Sequence, residues 1–333
     1  MSLVFERWDP ASQPPPDSGP GGIEPCATDT VRGHGAGEHW LAHSDGVLVA
    51  RCSLWWRATP LYDGRELGVI GHFAAAPGAP AKQLLAHACA RLARHGATQA
   101  VGPMDGNTWR GYRLVSDAGS EPPFFLEPWT PLEWNDHFRA AGFAAVAGYH
   151  SSVTEDLTWV DPRVPRVADR LRGAGVTLRN LDAARFEAEL AAIHALSCVS
   201  FAHNFLYTPI ARDEFIAQYR PIAQYVDPRL VLLAERDGEM VGFLFAIPDI
   251  TEAARRGRVR SAVIKTVAVH PDRRLAGLGA WLAAECHARA AAAGFERIVH
   301  ALMHDANKSG NISRRYARVL RRYTLYGRAL PPP

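Results

Sequence analysis

The chain has 333 residues, of which 47% are hydrophobic and 21% charged, and a formal net charge of +3. That length leaves room for about two domains, and the composition is that of a soluble globular protein. So small a net charge excludes the broad basic footprint of a nucleic-acid-binding protein.

Lysine occurs only at Lys82, Lys265 and Lys308, so arginine supplies almost all of the positive charge. Five dispersed cysteines (Cys26, Cys52, Cys89, Cys198 and Cys286) form no Cys-x-x-Cys pair. They read as reduced thiols of a cytoplasmic protein. No apolar run reaches membrane-spanning length and no basic-then-apolar leader opens the chain, so neither a membrane nor a nucleic acid is expected as partner.

In chain order, Leu3–Trp8 reads as a short strand, and the Pro/Gly-rich run from Pro14 to Gly22 as irregular. Two β-rich runs flank Asp45-Gly46 between Trp40 and Trp56, a strong hairpin signal. Leu67–Ala74 is a strand, Ala81–His95 a helix with Leu84, Leu85, Ala88 and Leu92 at helical spacing, and Thr98–Gly102 a strand. Asp161–Pro165 is expected to end a strand and Arg166–Arg172 to form a short basic helix, placing a boundary between domains 1–160 and 161–333. After a strand at Val176–Arg179 and helices at Ala183–Ser197 and Arg212–Tyr219, the earlier order returns. It comprises a hairpin on Asp237-Gly238, a strand at Ser261–Val269, a helix at Gly277–Ala293 and a strand from Arg297.

The return is in register. Ala42, Asp45, Gly46 and Val49 match Ala234, Asp237, Gly238 and Val241 at an offset of 192, and His72, Leu84 and Gly96 match His270, Leu282 and Gly294 at 198. An internal duplication accounts for both. The copies part at one turn. Arg274, Gly277 and Gly279 correspond to Ala76, Ala79 and Ala81, and Pro77 and Pro80 crowd the first copy's helix start. A helix beginning after glycines points free N–H groups and its positive dipole end at the turn, which suits an anion. The same glycines would also serve a plain β–α turn.

The strand Val-Ala-Val-His-Pro271 followed by Arg274-Leu-Ala-Gly-Leu-Gly279 resembles the acetyl-CoA site of the GNAT N-acetyltransferases. The resemblance is clearest over about 176–330, with 38–150 a degenerate copy. The arrangement is similar to that of mycothiol synthases, although no motif assigns that substrate. The resemblance implies an α/β fold with two tandem domains, each a mixed, mostly antiparallel sheet flanked by helices. The first would lack an intact acyl-CoA motif.

It implies acetyl-CoA as cofactor, with backbone N–H groups of Arg273, Arg274, Leu275, Ala276, Gly277, Leu278, Gly279 and Ala280 around the pyrophosphate. The edge of Val267, Ala268 and Val269 would lie along the pantetheine arm, and Asn307 and Ser309 would contact the cofactor. The activity implied is direct acetyl transfer to a small-molecule amine. A CoA-responsive binding protein without turnover is the second reading.

The tyrosine that the family often carries seven residues beyond an asparagine is missing here, since Asn307 leads to Arg314. Tyr316, placed on a helix, is the nearest candidate acid. His300 and His304 are candidate bases, expected on one face of their strand by its period of two. Tyr316 could equally be a packed core ring, and for His300 and His304 the structural reading outweighs the catalytic one. Lys265, a charge within an apolar strand, and Asn204, Phe205 and Tyr207, between two helices, are candidate substrate contacts. Trp109 and Trp129 lie in loops that could face a ligand or the other domain. No His-Glu-x-x-His helix, paired-cysteine metal motif, Gly-x-Ser-x-Gly elbow or P-loop competes.

Overall fold

The computed structural model describes residues 3–19, 21–62, 64–306 and 316–331. The first half runs β1 (Val4–Trp8), α1 (Thr28–His34), β2 (Glu38–Ser44), β3 (Val47–Trp55), β4 (Leu61–Tyr62), β5 (Arg65–Glu66), β6 (Gly68–Ala75), α2 (Lys82–Arg94), β7 (Gln99–Gly102), β8 (Leu114–Asp117), α3 (Glu133–Ala140) and β9 (Ala144–Thr154). The second runs α4 (Val164–Gly173), β10 (Thr177–Asn180), α5 (Phe186–Ser200), α6 (Arg212–Tyr219), β11 (Val231–Arg236), β12 (Glu239–Pro248), α7 (Thr251–Arg256), β13 (Ser261–Val269), α8 (Leu278–Ala292), β14 (Arg297–His304) and β15 (Arg318–Ala329). Among the described residues no helix is long and apolar enough to cross a membrane.

Both hairpins form where the Asp-Gly pairs stand. Asp45 and Asp237 have φ of 51° and 55°, and Gly46 and Gly238 have 80° and 83°. Two successive left-handed residues make the tight turn whose twist matches the flanking strands. Helix α2 buries Leu84, Leu85, Ala88 and Leu92 against the first half, and α8 buries Leu278, Leu282, Cys286 and Ala290 against the second. Helix α1 follows the Pro14–Gly22 run, whose described residues form no helix or strand. One expectation fails. Asp161–Pro165 starts a helix instead of ending a strand, because β9 stops at Thr154. Asp161 Oδ1 accepts the Arg163 N–H, and Pro165 sits in the first turn of α4, where a missing N–H costs nothing.

The large mixed sheet has thirteen strands in the order β1-β2-β3-β6-β7-β15-β9-β14-β13-β12-β11-β10, with β8 also on β15. Only β6–β7 and β13–β14 pair in parallel among the described strands. The two halves exchange strands. β15 lies between β7 and β9, and β9 pairs with β14. A single hydrogen-bonded surface therefore runs through both copies.

Candidate functional site

The turn after β13 is built by its own sequence. Asp272 Oδ1 accepts the Arg274 N–H at 2.9 Å and its carboxylate pairs with the Arg274 guanidinium at 2.7 Å, while Arg273 is exposed and has no ion pair among the described residues. Gly277 takes φ 87°, and a Cβ there would lie 2.7 Å from Val167 of α4. A left-handed backbone beside a packed helix explains why glycine stands at this position. Arg170 of α4 donates to the carbonyls of Arg274 and Ala276, at 2.8 and 2.5 Å. The N–H groups of Gly277, Leu278 and Gly279 have no intramolecular acceptor among the described residues. They are orphan donors at the positive end of a fifteen-residue helix.

From this turn β13 leads back to a split in the sheet. β13 and β14 are paired only from Ser261↔Arg297 to Ile264↔His300, and beyond that they diverge. A cavity of about 680 Å³ opens there, in the size range of small-molecule sites. Ile264, Lys265, Thr266 and Val267 form one wall and His300 to His304 the other, with Phe205, Tyr207, Phe215, Tyr219 and Phe245 as an aromatic floor. At the outer end of the β13 edge, Ser200 Oγ donates to the Val269 carbonyl at 3.0 Å and accepts from its N–H at 3.3 Å. Of the expected edge, Val267 borders the cavity, whereas Val269 is engaged by a serine that sequence reasoning did not single out.

The first half has the corresponding split but fills it. β6 and β7 pair only at Gly68↔Ala100 and Val69↔Val101. The chain leaving β7 then turns inward. Met104 N–H donates to the Ile70 carbonyl at 2.8 Å, and Asp105 Oδ1 accepts the His72 N–H at 2.6 Å. A Cβ on Gly71 would stand 2.1 Å from the Met104 carbonyl oxygen. Backbone therefore occupies the gap that is open in the second half, beyond the loss of the arginine and glycines at the turn.

The candidate catalytic groups separate in space. Leu302 has φ 60°, and β14 slips against β9, with His300↔Ser152 but Met303↔His150. The extra residue of this bulge cancels the alternation. It is why the expectation that His300 and His304 share a face fails. His300 is buried 3.3 Å from His287 Nε2, with Tyr316 5.8 Å away ring to ring. Tyr316 lies in a turn before β15, not on a helix, and burial raises its pKa. His304 faces the cavity beside Tyr149 and Phe205. Burial and then Arg113 hold its imidazole below the usual range, with nearby Asp305 opposing. Lys265 Nζ donates to the Leu126 carbonyl at 2.8 Å, and burial brings its pKa to about 8. Asn307 and Ser309 fall outside the described residues.

The buried pair of histidines gives a stability prediction. Desolvation lowers His287 to about 4 and His300 to about 3. Both stay neutral in the folded chain while the unfolded chain takes up protons below its ordinary value near 6.5. Their contribution is complete above pH 6.5 and is lost as pH falls toward 4, at about 1.4 kcal/mol per pH unit for each histidine. Urea unfolding between pH 4 and 7 is expected to show this slope, shallower by about one proton in His287→Gln.

Residues of the first half complete the cavity. Trp109 Nε1 donates to the Thr208 carbonyl at 2.7 Å, so this loop tryptophan seals against the second half. Trp129 instead lies under the Arg321 guanidinium, 4.6 Å from its ring centroid. Arg113 and Tyr149 carried no sequence signal. The Arg113 guanidinium sits 4.0 Å from the Tyr112 ring and 4.3 Å from the Tyr149 ring, donates to the Leu302 carbonyl at 3.3 Å and makes no ion pair among the described residues. Asn204, Phe205 and Tyr207 line the cavity.

Known proteins resemble the chain in sequence and in fold. Residues 192–316 match the model of the acetyltransferase (GNAT) family. The chain is 28% identical over 169 residues to a bacterial ceramide synthase of Caulobacter vibrioides, a match covering 49% of this chain and 42% of that protein. It spans about half the length of the curated relatives it matches. A tandem GNAT protein from the clavulanic acid biosynthesis pathway shares its fold over 100% of both chains, with a TM-score of 0.51 and 14% identity. A GCN5-related N-acetyltransferase from Sphaerobacter thermophilus does so over 99% of this chain and 96% of its own, at 0.50 and 15%.

Proposed function

Because the chain belongs to the GNAT superfamily as a tandem GNAT-like protein, we propose that it transfers an acyl group from an acyl-CoA to the amine of an acceptor with an apolar body. The observation that carries this reading is the apolar cavity opening where β13 and β14 part, a few residues from a helix start with unused N–H groups. Gly277, Leu278 and Gly279 would hold the pyrophosphate, and Val267 would flank the pantetheine arm. When bound, the cofactor supplies an activated thioester. Acetyl-CoA is the simplest donor. The cavity's volume and the likeness to a ceramide synthase favour a longer acyl chain or a long-chain amine.

The lining prepares the acceptor. No carboxylate is among the described lining residues, while Arg113 and Lys265 are cationic. A desolvated, positive surrounding disfavours an ammonium ion, so the amine enters neutral and nucleophilic. His304, uncharged near neutral pH, is placed to take the proton released when the nitrogen forms its new bond. Confinement of both partners in one cavity supplies proximity.

His304→Ala is expected to lower kcat by about 100-fold. In the unaltered enzyme kcat/KM would decline only on the acid side, below pH 6.5, because protonation of a depressed histidine is what removes the base. Thiol release followed from pH 5 to 9 measures both.

The function itself is tested with acyl-CoA donors from acetyl to palmitoyl against short polar and long aliphatic amines. Release of free thiol that needs both partners, fastest with an apolar amine, is the expected result. Tight CoA binding without release on any acceptor would instead favour a CoA-responsive binding protein.

A further inference from the structure

We propose that the first half binds a divalent transition-metal ion of the zinc class through His34, His72 and Asp105. The three ligands come from separate elements: the last turn of α1, the middle of β6 and the segment that fills the first-half split. Their donor atoms all lie within 4.8 Å of one another, and His34 Nδ1 is 2.8 Å from His72 Nε2. Two imidazole nitrogens and a carboxylate oxygen form a set that suits zinc, iron(II) or cobalt(II) better than the oxygen-seeking magnesium or calcium.

The surroundings hold these groups as ligands are held. His72 Nδ1 lies 2.9 Å from Ser53 Oγ, which is 2.7 Å from His39 Nδ1. That chain fixes the His72 ring and leaves Nε2 facing His34, in the way outer partners orient a metal-bound histidine. His72 also takes φ 47°, a strained value for a non-glycine residue. The strain is held by the Arg51 guanidinium on its carbonyl, at 2.5 Å, and by Asp105 on its N–H.

The Asp105 carboxylate is largely enclosed, yet it pairs with no arginine or lysine among the described residues. Arg51 gives Nη1 to the His72 carbonyl and its Nε to that of Glu24. Arg110 binds the His34 and Asp105 carbonyls and the Glu214 carboxylate. An enclosed carboxylate without a salt-bridge partner among the described residues, beside two imidazoles, is a site that a cation would complete.

The ion would fasten α1, β6 and the 103–113 loop together. Trp109 and Arg113 reach the cavity from that loop, and Arg110 joins it to α6 through Glu214. The half that has lost its acyl-CoA slot would thereby keep a role in fixing one wall of the acceptor cavity.

The test uses the full chain without an affinity tag. Elemental analysis as isolated, and Zn2+ titration by calorimetry after chelation and dialysis, are expected to give about one equivalent per chain. The Co2+ form should show visible d–d bands. His72→Ala should weaken Zn2+ binding by about 100-fold. His34→Gln, at a half-exposed position whose loss the fold can absorb, should weaken it by about 10-fold or more. Absence of stoichiometric uptake, or uptake unchanged in both His34→Gln and Asp105→Asn, would overturn the proposal and leave a hydrogen-bonded histidine pair. None of these readouts depends on acyl transfer.

Discussion

Arg321→Met is expected to lower the free energy of unfolding by about 3–5 kcal/mol. Arg321 and Glu127 are both fully buried, with Nε 2.6 Å from the carboxylate. The remaining arginine donors reach the carbonyls of Ala118, Glu121 and Pro122, and the Tyr323 hydroxyl also donates to Glu127. The substitution strands the Glu127 charge and three carbonyls in the interior. Removing both charges is much milder, because no ion is then left unpaired. Arg321→Met/Glu127→Leu should therefore recover more than half of the loss. Urea denaturation of the two variants decides it, and a single-variant cost below about 1 kcal/mol would show that the pair is not what anchors β15.

The second large effect concerns the turn before α8. Gly277→Trp should weaken coenzyme A binding by at least about 100-fold, measured by calorimetry, because the free N–H groups no longer converge. Two causes act together. The residue sits at φ 87°, and any Cβ meets Val167 at 2.7 Å, so α4 and its Arg170 contacts must shift. Gly78→Ala in the first-half turn is the control. That glycine has φ 71° with nothing within 4 Å of a Cβ, and the gap beside it is already filled, so affinity should not change. Unchanged binding in Gly277→Trp, with the circular dichroism of the native chain, would remove the cofactor from this turn.

Much of the fold was legible because its signals are local. Asp45-Gly46 and Asp237-Gly238 dictate left-handed turns whatever surrounds them, and the leucines of α2 and α8 declare a buried face through spacing alone. The asymmetry of the copies was legible too, since Ala76, Ala79 and Ala81 stand where Arg274, Gly277 and Gly279 do. What stayed hidden depends on neighbours far off in the chain. The bulge at Leu302 is fixed by register against β9, so the period of two misplaces His300 relative to His304. The placing of β15 between β7 and β9 follows from edge pairing between the halves. Arg113 becomes a cavity residue only because Tyr112 and Tyr149 flank it and Leu302 presents a carbonyl.

The exchange of β15 and β9 has a consequence for synthesis. When the ribosome has made β7, β8 and β9, the place between them stays vacant until the second half has emerged as far as β15, its last described strand. A nascent chain of that length exposes two unsatisfied strand edges and the Glu127 carboxylate without its arginine. The cavity takes lining residues from both halves, as far along the chain as Ala306, so no product that stops before β14 can form it. Products that stop before β15 would keep open sheet edges and be natural clients for chaperones that shield them.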